Sequence, residues 1–207
     1  IPAAVRDAMI QLRSGRPRPV AIDMPPETMQ DEADVELLPP SVVSRPAAVS
    51  RSLDRAVDAL QGAARPIIYA GGGVINANAS DALRALALTF KIPVTSTLMG
   101  LGGFDTKHAL SLHMLGMHGT ASANYAVDDC DLLIAIGARF DDRVAGVPAK
   151  FAPKAKHVLH FDIDPSEIHK VKKADWHHVG RLDVALDTLV AYGRRTGFTP
   201  NFDIWHD

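Results

Sequence analysis

The segment that most constrains the fold is a short apolar run that ends abruptly in glycine and charge. The run Leu132–Ile136 is followed by Gly137 and by a charged stretch, residues 139–143, that contains two arginines and two aspartates. A run of this length, bounded by turn-forming residues, is typical of a strand buried on both faces of a parallel sheet. Ligands bind beyond the carboxyl ends of such strands, so we expect the charged stretch to lie at a binding edge.

Helical and extended patterns alternate along most of the chain. Apolar residues spaced three or four apart predict helices at 3–13, 52–63, 80–90, 121–127 and 184–192. Short apolar runs predict strands at 66–70, 93–97, 132–136, 157–162 and 178–179. This alternation predicts an α/β fold, a parallel sheet of about five or six strands with helices on both faces.

The domain organisation is predicted from changes in composition. Residues 1–28 carry one helix and one short strand, Val20–Ile22, which cannot bury a core alone, so we interpret them as the C-terminal remnant of a preceding domain. Residues 29–50 are acidic and then Pro-rich, which is typical of a linker. Residues 51–193 form the central domain and 194–207 a tail. Because the chain lacks an initiator methionine, we expect it to be part of a longer protein.

Composition excludes several classes of protein. The net charge of −2 does not favour nucleic acid or an anionic membrane as a partner. No apolar run approaches the roughly 20 residues that span a bilayer, and no secretion signal is visible. The single Cys130 excludes an internal disulfide and fits a reducing compartment. It precedes an apolar strand, so we predict a buried structural thiol.

Glycine-rich turns follow the first two strands of the central domain. Gly71–Gly73 would let a phosphate or a ligand backbone approach closely, although a tight turn explains them as well. Thr97–Gly100 ends the next strand. Further on, Gly119 is a candidate to open the next helix and aim free N–H groups at an anion. His118 is either a ligand contact or a structural histidine.

Charged residues follow the later strands. Arg139 and Arg143 suit bidentate binding of a phosphate or carboxylate, and the alternative is an Arg–Asp network that only ties down a loop. Asp162 is a candidate to accept a ribose hydroxyl, whereas Asp164 before Pro165 is predicted to be a helix N-cap. All these signals fall at strand ends, so we expect them to converge on one crevice.

Other chemistries find no support in the sequence. The five histidines between residues 157 and 178 do not match zinc-ligand spacings, so we predict no metal site. The chain also has no G-x-S-x-G elbow and no P-loop.

Three longer stretches carry a family resemblance. TLMGLGGF (97–104), SLHMLGMHGTASANYAVDDCDLLIAIGARFDDRVAG (111–146) and HFDIDPSEIHK (160–170) resemble the large catalytic subunit of acetolactate synthase (acetohydroxyacid synthase), a thiamine diphosphate enzyme family. SGRPRPVAIDMP (14–25) resembles the end of that family's N-terminal pyrimidine-binding domain, and residues 41–189 resemble its central domain.

The resemblance implies a dinucleotide-binding-like central domain that binds FAD. The family condenses two pyruvates to 2-acetolactate and carbon dioxide, or pyruvate with 2-ketobutyrate, in branched-chain amino acid biosynthesis. Its thiamine diphosphate and Mg²⁺ sites belong to parts outside these residues, so no catalytic residue is predicted and the isolated chain is expected to be inactive. The resemblance further implies a homodimer or tetramer, a possible regulatory small subunit, and a cytoplasmic location, or plastid or mitochondrion in a eukaryote.

The resemblance also implies which residues contact FAD. These are Arg16, Gly71, Gly72, Gly73, Thr97, Leu98, Met99, Leu115, Gly116, Met117, His118, Gly137, Arg139, Asp141, Arg143, Val144, Asp162 and Ile163. Met117, Asp142 and Arg143 match positions near the substrate channel. The sequence departs from the family at Gly180-Arg181-Leu182, where the family usually has Gly-Asp-Val or Gly-Asp-Ala with its aspartate facing adenine. Whether Asp183 replaces that contact is left open.

The sequence leaves three alternative hypotheses for the family of this chain. Glyoxylate carboligase shares the architecture but is expected to differ at residues 139–143, and the flavin-free catabolic acetolactate synthase is expected to lack the flavin stretches. A stand-alone FAD- or NAD-binding module, such as an electron-transfer flavoprotein subunit, would not begin with the remnant at 1–28.

Overall fold

The computed structural model describes residues 1–43, 52–200, 202 and 205. The chain divides into two compact units, Ile1–Pro46 and Ala47–Asp207. The predicted domain boundaries stay predictions, and the last part of the predicted linker, residues 44–50, lies outside the described residues.

The first unit contains two helices, α1 (Pro2–Arg13) and α2 (Pro26–Gln30). The predicted helix is confirmed, and it ends at Ser14, before Gly15 with φ +56°. The predicted strand at Val20–Ile22 is wrong, because these residues are irregular. A strand needs a neighbour to satisfy its backbone N–H and C=O groups, and no described residue supplies one.

The second unit is a six-stranded parallel sheet with helices. Its helices are α3 (Leu53–Gln61), α4 (Gly72–Asn76), α5 (Ser80–Phe90), α6 (Ala121–Asp129), α7 (Asp142–Ala145) and α8 (Leu182–Arg195). Its strands are β1 (Pro66–Ala70), β2 (Val94–Ser96), β3 (Ser111–Met114), β4 (Leu132–Ile136), β5 (His157–Asp162) and β6 (Trp176–Val179). Every neighbouring pair is parallel, in the order β3-β2-β1-β4-β5-β6. The predicted α/β fold is confirmed.

Two apolar cores lie on the two faces of the sheet. One contains the inward residues of α3, α5 and α8, among them Leu86 and Leu189. The other contains residues of α6 and α7 together with the segments that follow β4 and β5. Successive residues of a strand point to opposite faces of the sheet, so Ile68 packs in the first core and Tyr69 in the second. Strands covered on both faces need side chains that are apolar without alternation, which explains the run in β4.

Three elements of this unit were not predicted: β3, α4 and the short helix α7, which begins within the charged stretch. Strand β3 was missed within the long connection that precedes α6, because its four residues are only partly buried and include His113 with φ +62°. Residues 72–76 form the short helix α4, where we predicted only a turn. By contrast, β1, β4, β5 and α5 have the predicted bounds.

Asp131 links the amino-terminal ends of the central strands β1 and β4 through hydrogen bonds. Its carboxylate accepts hydrogen bonds from Ala64 N at 2.8 Å and Arg65 N at 2.7 Å. A carboxylate that accepts backbone N–H groups makes charge-assisted bonds, which are stronger than neutral ones. Asp131, just before β4, therefore holds the entry to β1 in register.

The tail is anchored to the sheet at its two described positions beyond residue 200. Phe202 is buried in the first core, and the indole nitrogen of Trp205 donates to Pro66 O at 2.9 Å. Every helix within the described residues is too short or too polar to cross a membrane.

Candidate functional site

The strand order reverses between β1 and β4. The chain leaves β1 for β2 and β3 on one side, and then returns to β4 on the other side. In open parallel sheets this reversal opens a crevice beyond the carboxyl ends of the two central strands, and ligands bind there. Gly71, which follows β1, and Gly137, which follows β4, stand at this point.

The glycines of the crevice pack two loops against each other. Gly71 N donates to Ile136 O at 2.9 Å, and Gly73 N donates to Gly137 O at 3.0 Å. A Cβ on Gly71 would lie 2.1 Å from Gly137 O, and one on Gly73 would lie 2.6 Å from Gly137 Cα. The close contact between the two loops therefore explains why these positions are glycine. It also places two backbone segments without side chains next to each other at the edge of the sheet.

The loop after β2 packs beside the end of β1. Thr97 Oγ1 accepts from Gly100 N at 3.0 Å, and a Cβ on Gly100 would lie 2.5 Å from Ala70 O. Leu98 and Met99 are 69% and 74% exposed. Two apolar side chains therefore stand in solvent at the edge of the sheet.

The loop after β3 meets the loop after β4. Gly116, with φ +93°, is held by Asn124, whose side chain accepts from Gly116 N at 2.9 Å and donates to Gly116 O at 3.1 Å. Met117 N donates to Arg143 O at 3.3 Å, and a Cβ on Gly116 would lie 3.3 Å from Val144 Cα. Leu115 is buried, whereas the side chain of Met117 is 72% exposed.

The expectation that Gly119 opens the following helix is wrong. Thr120 is the N-cap of α6, and its hydroxyl accepts from Ala123 N at 3.1 Å. Gly119 instead packs closely, since its Cβ would lie 2.4 Å from Met114 O. His118 next to it is exposed.

The charged loop after β4 contains an ion pair. Arg139 Nη2 lies 3.1 Å from Asp141 Oδ2, with the two side chains 48% and 41% exposed. The other oxygen of Asp141 accepts from Arg143 N at 3.1 Å and caps α7. This backbone hydrogen bond, followed by the Asp142 side chain and the two arginine charges, lowers the pKa of Asp141. Exposed pairs contribute little stability, so the pair does not account for the loop by itself.

Strand β5, on the other side of β4, ends in a carboxylate. Asp162, 6% exposed, accepts from Asp164 N at 2.9 Å, and burial raises its pKa. Asp164 accepts from Ser166 N at 3.0 Å, which confirms the predicted N-cap. After β6, Arg181 stands where the family usually has aspartate. It donates two hydrogen bonds to Asp183, so the Asp183 carboxylate already has a partner.

The residues predicted to contact FAD after β1–β5 thus lie at one edge of the sheet. Arg16 belongs to the first unit, and the crevice described above is built from the second unit alone. The flavin assignment itself stays a prediction. In the described part of the chain, no three His, Cys, Asp or Glu side chains group in a way that could hold a metal ion.

Sequence reasoning missed the residues beneath the charged loop. Tyr69, Phe140 and His160 are buried and in ring contact. The sequence suggested only a metal-ligand role for His160. The available signal was Phe140, the one apolar residue in the charged stretch 139–143.

Residues 53–189 match the protein family described as "Thiamine pyrophosphate enzyme, central domain", and the chain belongs to this family. It is 46% identical to the acetolactate synthase large subunit of Parasynechococcus marenigrum, over 97% of this chain and 33% of that protein. It is 47% identical to a probable acetolactate synthase large subunit of Methanocaldococcus jannaschii, over 92% of this chain and 33% of that protein. The acetolactate synthase isozyme 2 large subunit of Escherichia coli is 42% identical, over 91% and 34%.

These findings confirm the predicted resemblance to acetolactate synthase large subunits. The chain spans about a third of the length of these relatives.

Proposed function

We propose that this chain is the FAD-binding central domain of an acetolactate synthase large subunit. The observation that carries the proposal is the crevice at the strand reversal. There, the loop after β4 contacts both the glycine turn after β1 and the loop after β3, and it presents Arg139 and Arg143 beside exposed apolar side chains. A dinucleotide needs this combination of close backbone, cationic groups and an apolar surface.

The residues at the edge fit the parts of FAD. Arg139 and Arg143 are exposed guanidinium groups that would hold the diphosphate. Leu98, Met99 and Met117 would cover the flat ring, because soft, exposed apolar side chains adapt to an aromatic ligand. Asp162 would accept a hydroxyl or adenine hydrogen bond from a group that reaches the sheet edge. When bound, FAD supplies a redox-capable ring, which by the family resemblance performs no net redox.

The synthase activity is a proposal for the longer protein. There, thiamine diphosphate held by Mg²⁺ would supply the carbanion chemistry that joins two pyruvates, or pyruvate and 2-ketobutyrate. Met117, Asp142 and Arg143 would line the route to that centre. A homodimer or tetramer, with or without a regulatory small subunit, is the proposed assembly.

The chain is expected to bind FAD weakly but saturably, and Arg139→Ala is expected to weaken binding about 10-fold or more. The variant removes charge-assisted hydrogen bonds to the diphosphate, each worth about 1.5–3 kcal/mol. Flavin fluorescence titration of the 207-residue chain measures both affinities.

Arg84→Ala is the matched control for this titration. It removes one exposed positive charge from α5 and is expected to leave the affinity unchanged. Equal affinity of wild type and Arg139→Ala would mean that Arg139 only pairs with Asp141 and does not bind the ligand. No saturable binding by wild type at millimolar FAD would contradict the proposal for the isolated chain.

The chain alone is expected to form no acetolactate. The family's activating glutamate and its metal motif G-D-G…N match nothing in these residues, so pyruvate finds no activated thiamine diphosphate. The measurement is acetolactate formation from pyruvate with thiamine diphosphate, Mg²⁺ and FAD, against a no-protein control. An acetolactate synthase large subunit of full length serves as the positive control, and product above background from the chain would refute the expectation.

A further inference from the structure

The charged segment Gly137–Val144, called here the Arg–Asp loop, is shaped by a buried aromatic residue. Phe140 has φ +55°, in the left-handed region that residues other than glycine rarely adopt, and its side chain is buried. Left-handed backbone at a bulky residue persists only where surrounding contacts enforce it, and such positions cluster at ligand sites. The contacts that enforce it lie on the sheet below.

Phe140 fills an aromatic slot, formed by Tyr69, Ala135, Phe151 and His160. Tyr69, Ala135 and His160 stand side by side in register on β1, β4 and β5. The methyl group of Ala135 leaves a gap between the two larger side chains. The Phe140 ring occupies it, with centroids 5.5 Å from Tyr69, 5.2 Å from His160 and 5.9 Å from Phe151.

His160 also holds the backbone of the Arg–Asp loop. Its Nε2 lies 2.9 Å from Ala138 O, and since a carbonyl only accepts, Nε2 carries the proton. One residue earlier in the loop, Gly137 N donates to Phe161 O at 2.7 Å. Strand β5 thus fixes two consecutive residues at the start of the loop, one through its backbone and one through a side chain.

Burial disfavours the charged form of the imidazole. His160 is fully buried, and its Nδ1 has no hydrogen-bond partner among the described residues. Burial lowers its pKa, although the bond to Ala138 and the charge of Glu167 oppose this, and His169 and His177 add to the lowering. The carboxylate oxygen Asp162 Oδ2 lies 3.9 Å from Nε2.

We propose that His160 is a positioning residue for the ligand site. It does not reach solvent, and it acts through Ala138 O and Phe140 by holding the Arg–Asp loop in the shape that presents Arg139 and Arg143. The claim about loop shape stands on the geometry alone. The claim about ligand affinity rests on the proposed flavin function.

The first test reads the imidazole in the wild-type chain. In nitrogen-15 spectra of labelled histidine at neutral pH, His160 is expected to be the neutral tautomer with the proton on Nε2 and a bare Nδ1. His160→Gln identifies its signals by their loss. A neutral imidazole with its proton on Nδ1 would overturn the proposal, because Nε2 would then have no proton to donate to Ala138 O.

The second test separates the hydrogen bond from the packing of the ring. The side-chain amide of His160→Gln places an N–H donor near the position of Nε2, whereas His160→Leu keeps the bulk and has no donor. Without ligand, amide exchange of residues 138–144 is expected to be about 10-fold faster in His160→Leu and near wild type in His160→Gln, since one lost hydrogen bond changes an opening equilibrium by about that factor. Exchange in β2, across the sheet, is the internal control.

The same variants are then titrated with FAD. His160→Leu is expected to bind about 10-fold more weakly and His160→Gln to bind like wild type. If exchange is unchanged in His160→Leu, or equally fast in both variants, the proposal falls. If exchange follows the prediction but no variant binds FAD, the flavin function fails while the role of His160 in loop shape holds.

Discussion

Replacing Gly71 with alanine is expected to destabilise the second unit by at least about 3 kcal/mol, because the added methyl group overlaps neighbouring backbone. The backbone of Gly71 is extended, with φ −107°, so alanine has no conformational difficulty there. The difficulty is space: its Cβ would lie 2.1 Å from Gly137 O and 2.7 Å from Ala138 Cα. Both atoms belong to the backbone of the loop after β4, which cannot give way as a side chain can.

The loops after β1 and β4 would have to separate to admit the methyl group. This would break the bonds from Gly71 N to Ile136 O and from Gly73 N to Gly137 O. Urea unfolding followed by tryptophan fluorescence measures the loss, since both tryptophans, Trp176 and Trp205, lie in the second unit.

Gly62→Ala is the matched control for this substitution. Gly62 ends α3 with φ −82°, and its Cβ would lie 3.5 Å from the nearest atom, an ordinary contact. Its stability is expected to change by less than about 1 kcal/mol, in either direction. If Gly71→Ala were as stable as Gly62→Ala, the close approach of the two loops described here would be wrong.

The fold could be predicted largely from the sequence because its central strands are buried on both faces. Residues 66–70 and 132–136 must be apolar along most of their length, and a pattern of that kind is visible without knowing the neighbours. Strand β3 lies at the sheet edge and is only partly buried, so its four residues carry no such pattern. The order of the strands is set by which apolar faces the helices cover, and no local pattern records it.

The candidate site could be predicted only in part. The glycines and charges at strand ends are local signals, and they do lie at one edge. Their roles depend on partners distant in sequence: Gly71 meets Gly137, and Met117 meets Arg143. His160 was invisible as a positioning residue because its partner, Ala138 O, is a backbone atom on another segment. The failed strand at Val20–Ile22 has the same origin, since a strand exists only where another segment supplies hydrogen bonds.

Phe140→Ala is expected to destabilise the second unit by about 3–5 kcal/mol, the range for removing a buried phenylalanine. The ring is 2% exposed and contacts Tyr69, Phe151 and His160, so its removal opens a cavity under the Arg–Asp loop. The same urea titration measures this loss. FAD affinity is expected to fall as well, because the loop that carries the arginines loses its anchor.

Phe90→Ala separates the anchor from general destabilisation. Phe90 is fully buried in the core on the opposite face of the sheet. Its replacement by alanine is therefore also expected to lower the free energy of unfolding by about 3–5 kcal/mol. It touches no part of the Arg–Asp loop, and FAD affinity measured where both variants are folded should be that of wild type. Equal loss of affinity in the two variants would mean that Phe140 acts through stability alone.

Phe140→Gly tests the backbone strain apart from the packing. Glycine adopts φ +55° freely, whereas an L-residue with a Cβ meets a penalty of about 1–2 kcal/mol there. Phe140→Gly is therefore expected to be more stable than Phe140→Ala, although both leave the slot empty. A glycine variant no more stable than alanine would show that the loop relaxes out of the left-handed conformation once the ring is gone. In either case the comparison measures how far the aromatic slot, rather than the local chain, determines the backbone that presents Arg139 and Arg143.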